Sequence, residues 1–360
     1  MGRLRPPRLH SMARKCALLF DRRYPSAASA PRRTRRRGRR LGTAYTNRGR
    51  FPCQCRPPLS GTSQYYSDKG GGGVTIAYLN GDFIPLSEAR ISPMDRGFLF
   101  GDGVYEVIPS YQGQFVAIGY HLERLRTSLD GIHLVIPQSD EQLVALLDEL
   151  CRQNGSGDQG IYLQITRGVV EKRQHAFTNE NAPTVFAYAF PIASPSDGSP
   201  SDATCFRAVT RTDKRWGRCH IKSTALLGNV LHMMEAVDDG AEEVLLFNAQ
   251  DELTEAAACN VFIASQGKIV TPALDHQILP GVTRRLCLDV LAAHTDWAVE
   301  IRPVTRAEVC SAEEVWLSSS TKELAPVIQI DGQPVGSGKP GPLWSQAQRL
   351  FHLHRFDTAS

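Results

Sequence analysis

The chain has 360 residues and a formal net charge of +4. Residues 1–73 hold 18 Lys/Arg against 2 Asp/Glu and the rest hold 23 against 35, so the total conceals a net of +16 joined to a net of −12. With 42% hydrophobic residues and no apolar run near the ~18 that a membrane helix needs, the composition is globular, neither disordered nor membrane-spanning.

The split marks a basic extension on an acidic folded body. The extension carries Arg32-Arg33, Arg35-Arg36-Arg37 and Arg39-Arg40 among Pro, Ser and Gly, and is expected to be disordered. It reads as an organelle transit peptide, as a nucleic-acid or nuclear-targeting tail, or as upstream sequence before a start near Val74. Cytoplasm is the expected compartment, with mitochondrion or plastid following from the transit reading. Nine cysteines lie far apart and Cys53-Gln54-Cys55 is not a CxxC pair. No metal site or disulfide framework is therefore expected, and a reducing compartment is the default. The acidic body argues against nucleic-acid binding by the folded part.

In chain order, Val74–Leu79 reads as a strand. Asn80-Gly81 turns it, since both residues tolerate positive φ, and Phe83–Leu86 returns. Val104–Tyr111 and Gln114–Ile118 form a second hairpin about Gln112-Gly113. Leu122, Leu125, Leu129 and Ile132 give the 3–4 spacing of a helix. A second helix begins at Ser139, where Gln142 completes a capping box. Gly160–Arg167 and Thr184–Phe190 read as strands. A Ser/Pro/Asp/Gly-rich linker covers 193–204. Beyond it come a strand at Phe206–Thr212, a helix over Ser223–Val237, and strands at Glu243–Phe247, Val261–Ala264 and Lys268–Thr271. A helix at Thr283–Ala293, strands at Val299–Pro303, Glu314–Ser318 and Val327–Ile330, and a closing helix over Gly341–His354 complete the chain. This is an α/β (α+β) layout, with a small domain at 74–192 and a larger one at 205–356.

Several motifs stand out: DRGFLFGDGVYE at Asp95–Glu106, HLERL at 121–125, and RGVVEKRQHAF at 167–177. Further on are IKSTALLGNVLHMMEA at 221–236, LTEAAACNVF at 253–262, ILPGVTRR at 278–285 and LSSSTKELAPVIQIDG at 317–332. Taken alone, the glycine-rich DRGFLFGDG is a tight turn. Together and in this order, the motifs resemble the class IV, fold-type-IV aminotransferases that use pyridoxal 5'-phosphate, closest to the bacterial D-amino-acid branch. The resemblance runs from about residue 76 to 352 and leaves the extension without a counterpart.

The resemblance implies a fold-type-IV enzyme with a small N-terminal α/β domain and a larger pseudo-barrel domain. It implies that Lys222 condenses with the cofactor aldehyde and, once displaced, moves a proton at the substrate Cα, work that needs a neutral amine. Glu255 is implied to partner the cofactor ring nitrogen, keeping it protonated so that the ring withdraws electrons. Arg124 is implied to bind the phosphate, as its planar fork suits such oxygens. Val282 and Thr283 at a helix start, with Ser319 and Ser320, are implied to be the further phosphate ligands. Leu279 is implied to pack on the ring. Tyr105, Arg173 and His175 match the trap for the substrate α-carboxylate, with part of that trap coming from a second subunit of a homodimer. Ala256-Ala257-Ala258-Cys259 departs from the family's Gly-Ser-rich pattern, which puts some polar cofactor contacts in doubt. Arg167, Asp102 and His121 read as supporting residues.

The expected reaction moves an amino group from D-alanine to 2-oxoglutarate, giving pyruvate and D-glutamate, with small amino and 2-oxo acids as the partners. An aminodeoxychorismate lyase and a branched-chain L-amino-acid aminotransferase are the alternatives within the fold. A nucleic-acid-associated protein led by the extension is the alternative outside it. The intact set of Lys222, Glu255 and Arg124 argues against that last reading.

Overall fold

The computed structural model describes residues 74–357 apart from 156 and 179. The basic extension lies outside these residues. The first hairpin pairs β1 (Ile76–Leu79) with β2 (Asp82–Pro85). Asn80 and Gly81 turn it, both at positive φ. A short helix, α1 (Arg96–Phe100), follows where a turn was expected. The Asp95 side chain accepts from Gly97 N to start it. Gly101, at φ +67°, ends it.

Next come β3 (Gly103–Tyr111) and a two-residue β4 (Gln114–Phe115). Strand pairing ends sooner than expected there, because Ala117 turns at positive φ and α2 (Ile118–Gly131) begins. Ser139 caps α3 (Asp140–Gln153) with the full capping box. β5 (Gln159–Thr166) and β6 (Thr184–Pro191) complete a six-stranded sheet of order β2-β1-β6-β5-β3-β4. Its alternate residues Val104, Ile108, Ile161, Leu163 and Ala187 pack on the leucines of α2 and α3 in one buried core.

The second sheet has nine strands. After β7 (Phe206–Thr212), helix α4 covers Leu227–Asp238. It starts four residues later than the sequence pattern suggests. Tyr105 N donates to Lys222 O at 3.0 Å and Thr224 N to Gly103 O at 2.9 Å, so Lys222–Thr224 runs extended against β3. β8 (Glu243–Phe247), β9 (Leu253–Ala256), β10 (Asn260–Ser265) and β11 (Lys268–Thr271) come next. Helix α5 (Val282–His294), β12 (Ala298–Ile301) and a short capped helix α6 (Arg306–Ser311) lead to β13 (Glu314–Ser319). β14 (Glu323–Ile330), β15 (Gln333–Pro334) and α7 (Pro342–His354) end the fold.

Strand order is β12-β11-β10-β13-β14-β7-β8-β9, with β15 on β14. β14, β7 and β8 run parallel, and the β10–β13–β14 ladder is antiparallel. Period-2 alternation sends Phe262, Ala264, Trp316 and Leu324 toward α5 and α7, and Val261, Ile263, Val315 and Leu317 to the opposite face. Gln348 of α7 reaches Ser196 O, and Ser345 reaches Gly198 O, so residues of the 193–204 segment are bonded to the last helix.

Candidate active site

A cavity of about 320 Å³ opens where β3, the Lys222 segment, β9, the start of α5 and the β13–β14 turn converge. Lys222, Glu255, Arg124, Leu279, Val282, Thr283, Ser319 and Ser320 all line it, and so does Tyr105. The fold thus brings together in one chamber residues up to 215 positions apart, from Tyr105 to Ser320.

Lys222 is fixed through its backbone. Its N–H donates to the buried Ser128 hydroxyl at 3.2 Å, and its carbonyl accepts from β3. Its Nζ rests 4.2 Å from the centre of the Tyr105 ring, whose face attracts a cation.

Glu255 lies near the end of β9, buried. Its Oε2 accepts from Leu279 N at 3.2 Å and Asn260 Nδ2 at 3.3 Å. Its Oε1 accepts from Arg215 Nη1. Burial pushes this carboxyl up to about 7, although the Arg215 charge pulls the other way. Arg215 is in turn forked onto Asp213, with 2.7 Å between Nη2 and Oδ2, and donates to Gln277 O. Arg215 belongs to none of the sequence motifs. Asp213-x-Arg215 on the approach to Lys222 was the available signal, but its target lies 40 residues away and only the fold supplies it.

Arg124 is aimed by Glu106. Its Nε and Nη2 donate to the two Glu106 oxygens at 2.8 and 2.7 Å, and Nη1 reaches Pro280 O. His121 Nδ1 lies 2.7 Å from the same carboxylate. Burial alone would raise the Glu106 carboxyl. Arg124 and His121 more than reverse this and hold it at about 2. One buried carboxylate therefore pins the guanidinium at the cavity wall, with His121 against the same carboxylate.

The far wall carries a helix start and serine hydroxyls. No side chain caps α5, whose first residues Val282 and Thr283 line the cavity. Ser318 Oγ and Ser319 Oγ are buried there without a hydrogen-bond partner among the described residues, the Cys259 thiol lying beside Ser319. A Cβ on Gly281 would stand 1.8 Å from Asn260 Oδ1, so only glycine lets the helix start approach this closely. Ala256, Ala257 and Ala258 contribute apolar lining and no side-chain donor.

Arg173 and His175 do not line this cavity. Both are exposed, on a loop held against α1. Arg96 donates to Gln174 O at 2.7 Å and His175 O at 3.1 Å, and the Arg173 guanidinium lies 4.9 Å from the Phe100 ring centre. Buried Arg167 forks onto the partly buried Asp102 behind the loop, at 2.9 and 3.0 Å.

Residues 103–330 match the family described as amino-transferase class IV. A D-alanine aminotransferase of Listeria innocua is 38% identical over 277 residues, 76% of this chain and 93% of that one. A D-alanine aminotransferase of Staphylococcus haemolyticus is 37% identical over 78% of this chain and 98% of its own length. One from Bacillus licheniformis is 39% identical over 75% and 93%. Among solved structures, the Escherichia coli branched-chain amino acid aminotransferase superposes with a TM-score of 0.72 at 23% identity, over 78% of this chain and 94% of that one. The Thermobaculum terrenum branched-chain enzyme in its PLP form superposes at 0.71 and 22% identity, over 79% and 94%. At such identities these two structures speak for the fold.

Proposed function

The chain belongs to the class IV aminotransferases, and from that membership we propose that it transfers an amino group from D-alanine to 2-oxoglutarate with pyridoxal 5'-phosphate. The observation that carries this reading is the 37–39% identity to relatives named D-alanine aminotransferase, over at least 93% of their lengths. The cavity supports it, since its residues fit the cofactor. The buried Ser319 hydroxyl, Ser320, the uncapped start of α5 at Val282 and Thr283, and Arg124 would hold the phosphate. Leu279 would cover a ring face and Glu255 would hold the ring nitrogen. When bound, the group supplies an aldehyde that takes up the amino group and a ring that withdraws electrons.

The protein's own residues do the rest. Lys222 Nζ takes the proton from the substrate Cα and returns it, with the Tyr105 face beside it. Arg215 keeps Glu255 paired and in place. Tyr105 offers a hydroxyl to the substrate carboxylate, and Arg173 and His175 complete that cradle.

The loop bearing Arg173 and His175 does not reach its own chain's cavity, so we assign it to the cavity of a second copy. α4 supports a homodimer: Leu227, Val230, Leu231, Met234 and Val237 are all about half exposed or more, at 3–4 spacing on one apolar face. Val230 also lines the cavity, so this face adjoins its mouth. The small domain at 74–192 and the large one at 205–356 follow the two sheets, each of which takes its strands from one side of the 193–204 linker. The proposed compartment is the cytoplasm. Cys151, Cys219, Cys259, Cys287 and Cys310 are free thiols, and among the described residues no helix is long and apolar enough to cross a membrane.

The test is turnover by purified protein with pyridoxal 5'-phosphate, 2-oxoglutarate and D- or L-alanine, following pyruvate. Parallel-line kinetics with D-alanine are expected. Turnover of L-leucine but not D-alanine would overturn the reading. Release of 4-aminobenzoate from aminodeoxychorismate would replace it with the lyase. Lys222→Ala should abolish both turnover and the absorbance of lysine-bound cofactor.

A further inference from the structure

The C-terminal ends of two long helices meet on the surface away from the cavity. His294 is the last residue of α5 and His354 the last of α7. Their rings stack with centroids 3.6 Å apart and planes 16° apart. Asp357 Oδ2 lies 2.7 Å from His354 Nδ1. One donor atom from each of the three residues falls within 4.8 Å of the other two. Nothing in the transamination chemistry uses any of them.

We infer that His294, His354 and Asp357 bind a first-row divalent transition ion such as zinc, which ties the end of α5 to the end of α7. The donor set is the first reason. Two imidazoles with one carboxylate suit zinc, cobalt, nickel or copper, whereas calcium and magnesium seek oxygen ligands. The local field is the second. The last carbonyls of both helices place partial negative charge at this point, which favours a cation. Asp296 adds a carboxylate in the adjoining groove, where Arg349 is the opposing charge. Arg355 is turned inward, with Nη1 3.2 Å from Glu323 Oε1.

Rigidity is the third reason. Val290 and Leu291 of α5 share one buried core with Trp344 and Phe351 of α7, so the two helix ends are already fixed side by side. The three donor atoms are already within 4.8 Å of one another, and His294 is exposed, so its ring has room to turn toward a shared ion. Three protein ligands leave a further position for water.

The 13 residues of α5 span roughly 20 Å at 1.5 Å per residue, so the ion would lie well away from the phosphate-binding end. Its effect is therefore on stability, because it binds the folded chain and not the unfolded one. The test uses full-length holoenzyme, dialysed against chelator and titrated with zinc chloride by calorimetry and by thermal melts. One ion per chain and a zinc-dependent rise in Tm are expected. His294→Ala and His354→Ala should each weaken binding at least about tenfold, since even outer partners of a metal site are worth ~10–100-fold. Both should leave D-alanine turnover as it was. If His354→Ala disturbs folding, the exposed His294→Ala carries the comparison alone. No binding below about 100 μM, or the same binding in both variants, overturns the site.

Discussion

At Glu106 a fully buried carboxylate meets two groups of one helix, Arg124 and His121. Its folded pKa, about 2, lies below the ordinary 4.5. The stability it contributes is therefore complete above pH about 4.5 and is lost as pH falls toward 2; the shift corresponds to roughly 3 kcal/mol. Glu106→Gln should remove about that much at neutral pH, and more if Arg124 is left without a counter-charge. Urea unfolding of wild type and variant between pH 2 and 5 checks this, with a flatter pH slope expected for the variant. Glu255 has the opposite sign. Its folded pKa is raised to about 7, so its contribution to the apoprotein is present below about pH 4.5 and is lost as pH rises through 7. Melts of apoprotein across pH 5–8 should show this decline, and Glu255→Gln should abolish it. The pocket residues were legible in the sequence because each belongs to a motif: Lys222 in IKSTALLGN, Glu255 in LTEAAACN, Thr283 in PGVTRR. Glu106 was visible only as part of GVYE, and Arg215 had no motif. Both act on partners brought close by tertiary structure, which local spacing does not encode.

Among the elements, α1 and the start of α4 departed most from the sequence pattern, and they depart together. Three glycines in DRGFLFGDG read as a turn, yet Asp95 caps a helical turn there and Gly101 closes it. A Cβ on Gly101 would stand 3.1 Å from Ala225 Cα, so the helix end and the Lys222–Ala225 segment are in direct contact. That contact, with the bridge from Ser223 to Val104, keeps Lys222 extended and delays α4 to Leu227. Helical periodicity over 223–237 cannot report a tertiary strand partner. Gly101→Ala combines a positive φ of 67° with this crowding and should cost about 1–3 kcal/mol. It should also displace Lys222. Lower Tm together with reduced cofactor occupancy is the expected outcome, and a loss of Tm with full occupancy would separate the two elements. The strands, by contrast, were legible nearly to the residue at Phe206–Thr212, Glu243–Phe247 and Lys268–Thr271. There the apolar runs are short and bounded by turn residues. β9 was missed because Leu253–Ala256 has no such run.

At the scale of the whole molecule, the charge boundary near residue 73 lies next to the first described strand, and the body of net −12 beyond it carries one cation at the cavity, Arg124, and another on the exposed loop, Arg173. Where the Arg173 loop acts decides whether one chain makes one complete site. Arg96 and Phe100 hold it away from its own cavity, and the apolar face of α4 beside the cavity mouth is suited to a second copy. If Arg173 serves the neighbouring cavity, Lys222→Ala and Arg173→Ala chains should each be nearly inactive alone yet rescue each other. After unfolding and refolding an equal mixture, half the dimers are mixed, and each mixed dimer carries one site with an intact Lys222 and an intact Arg173. D-alanine turnover should then recover to about a quarter of wild type, following the statistics of a symmetric dimer. Leu231→Asp in either chain should prevent the rescue by turning the dimer into monomers, seen as a halved mass in sedimentation. No recovery at any mixing ratio, from proteins that sediment as dimers, would place Arg173 in the service of its own chain.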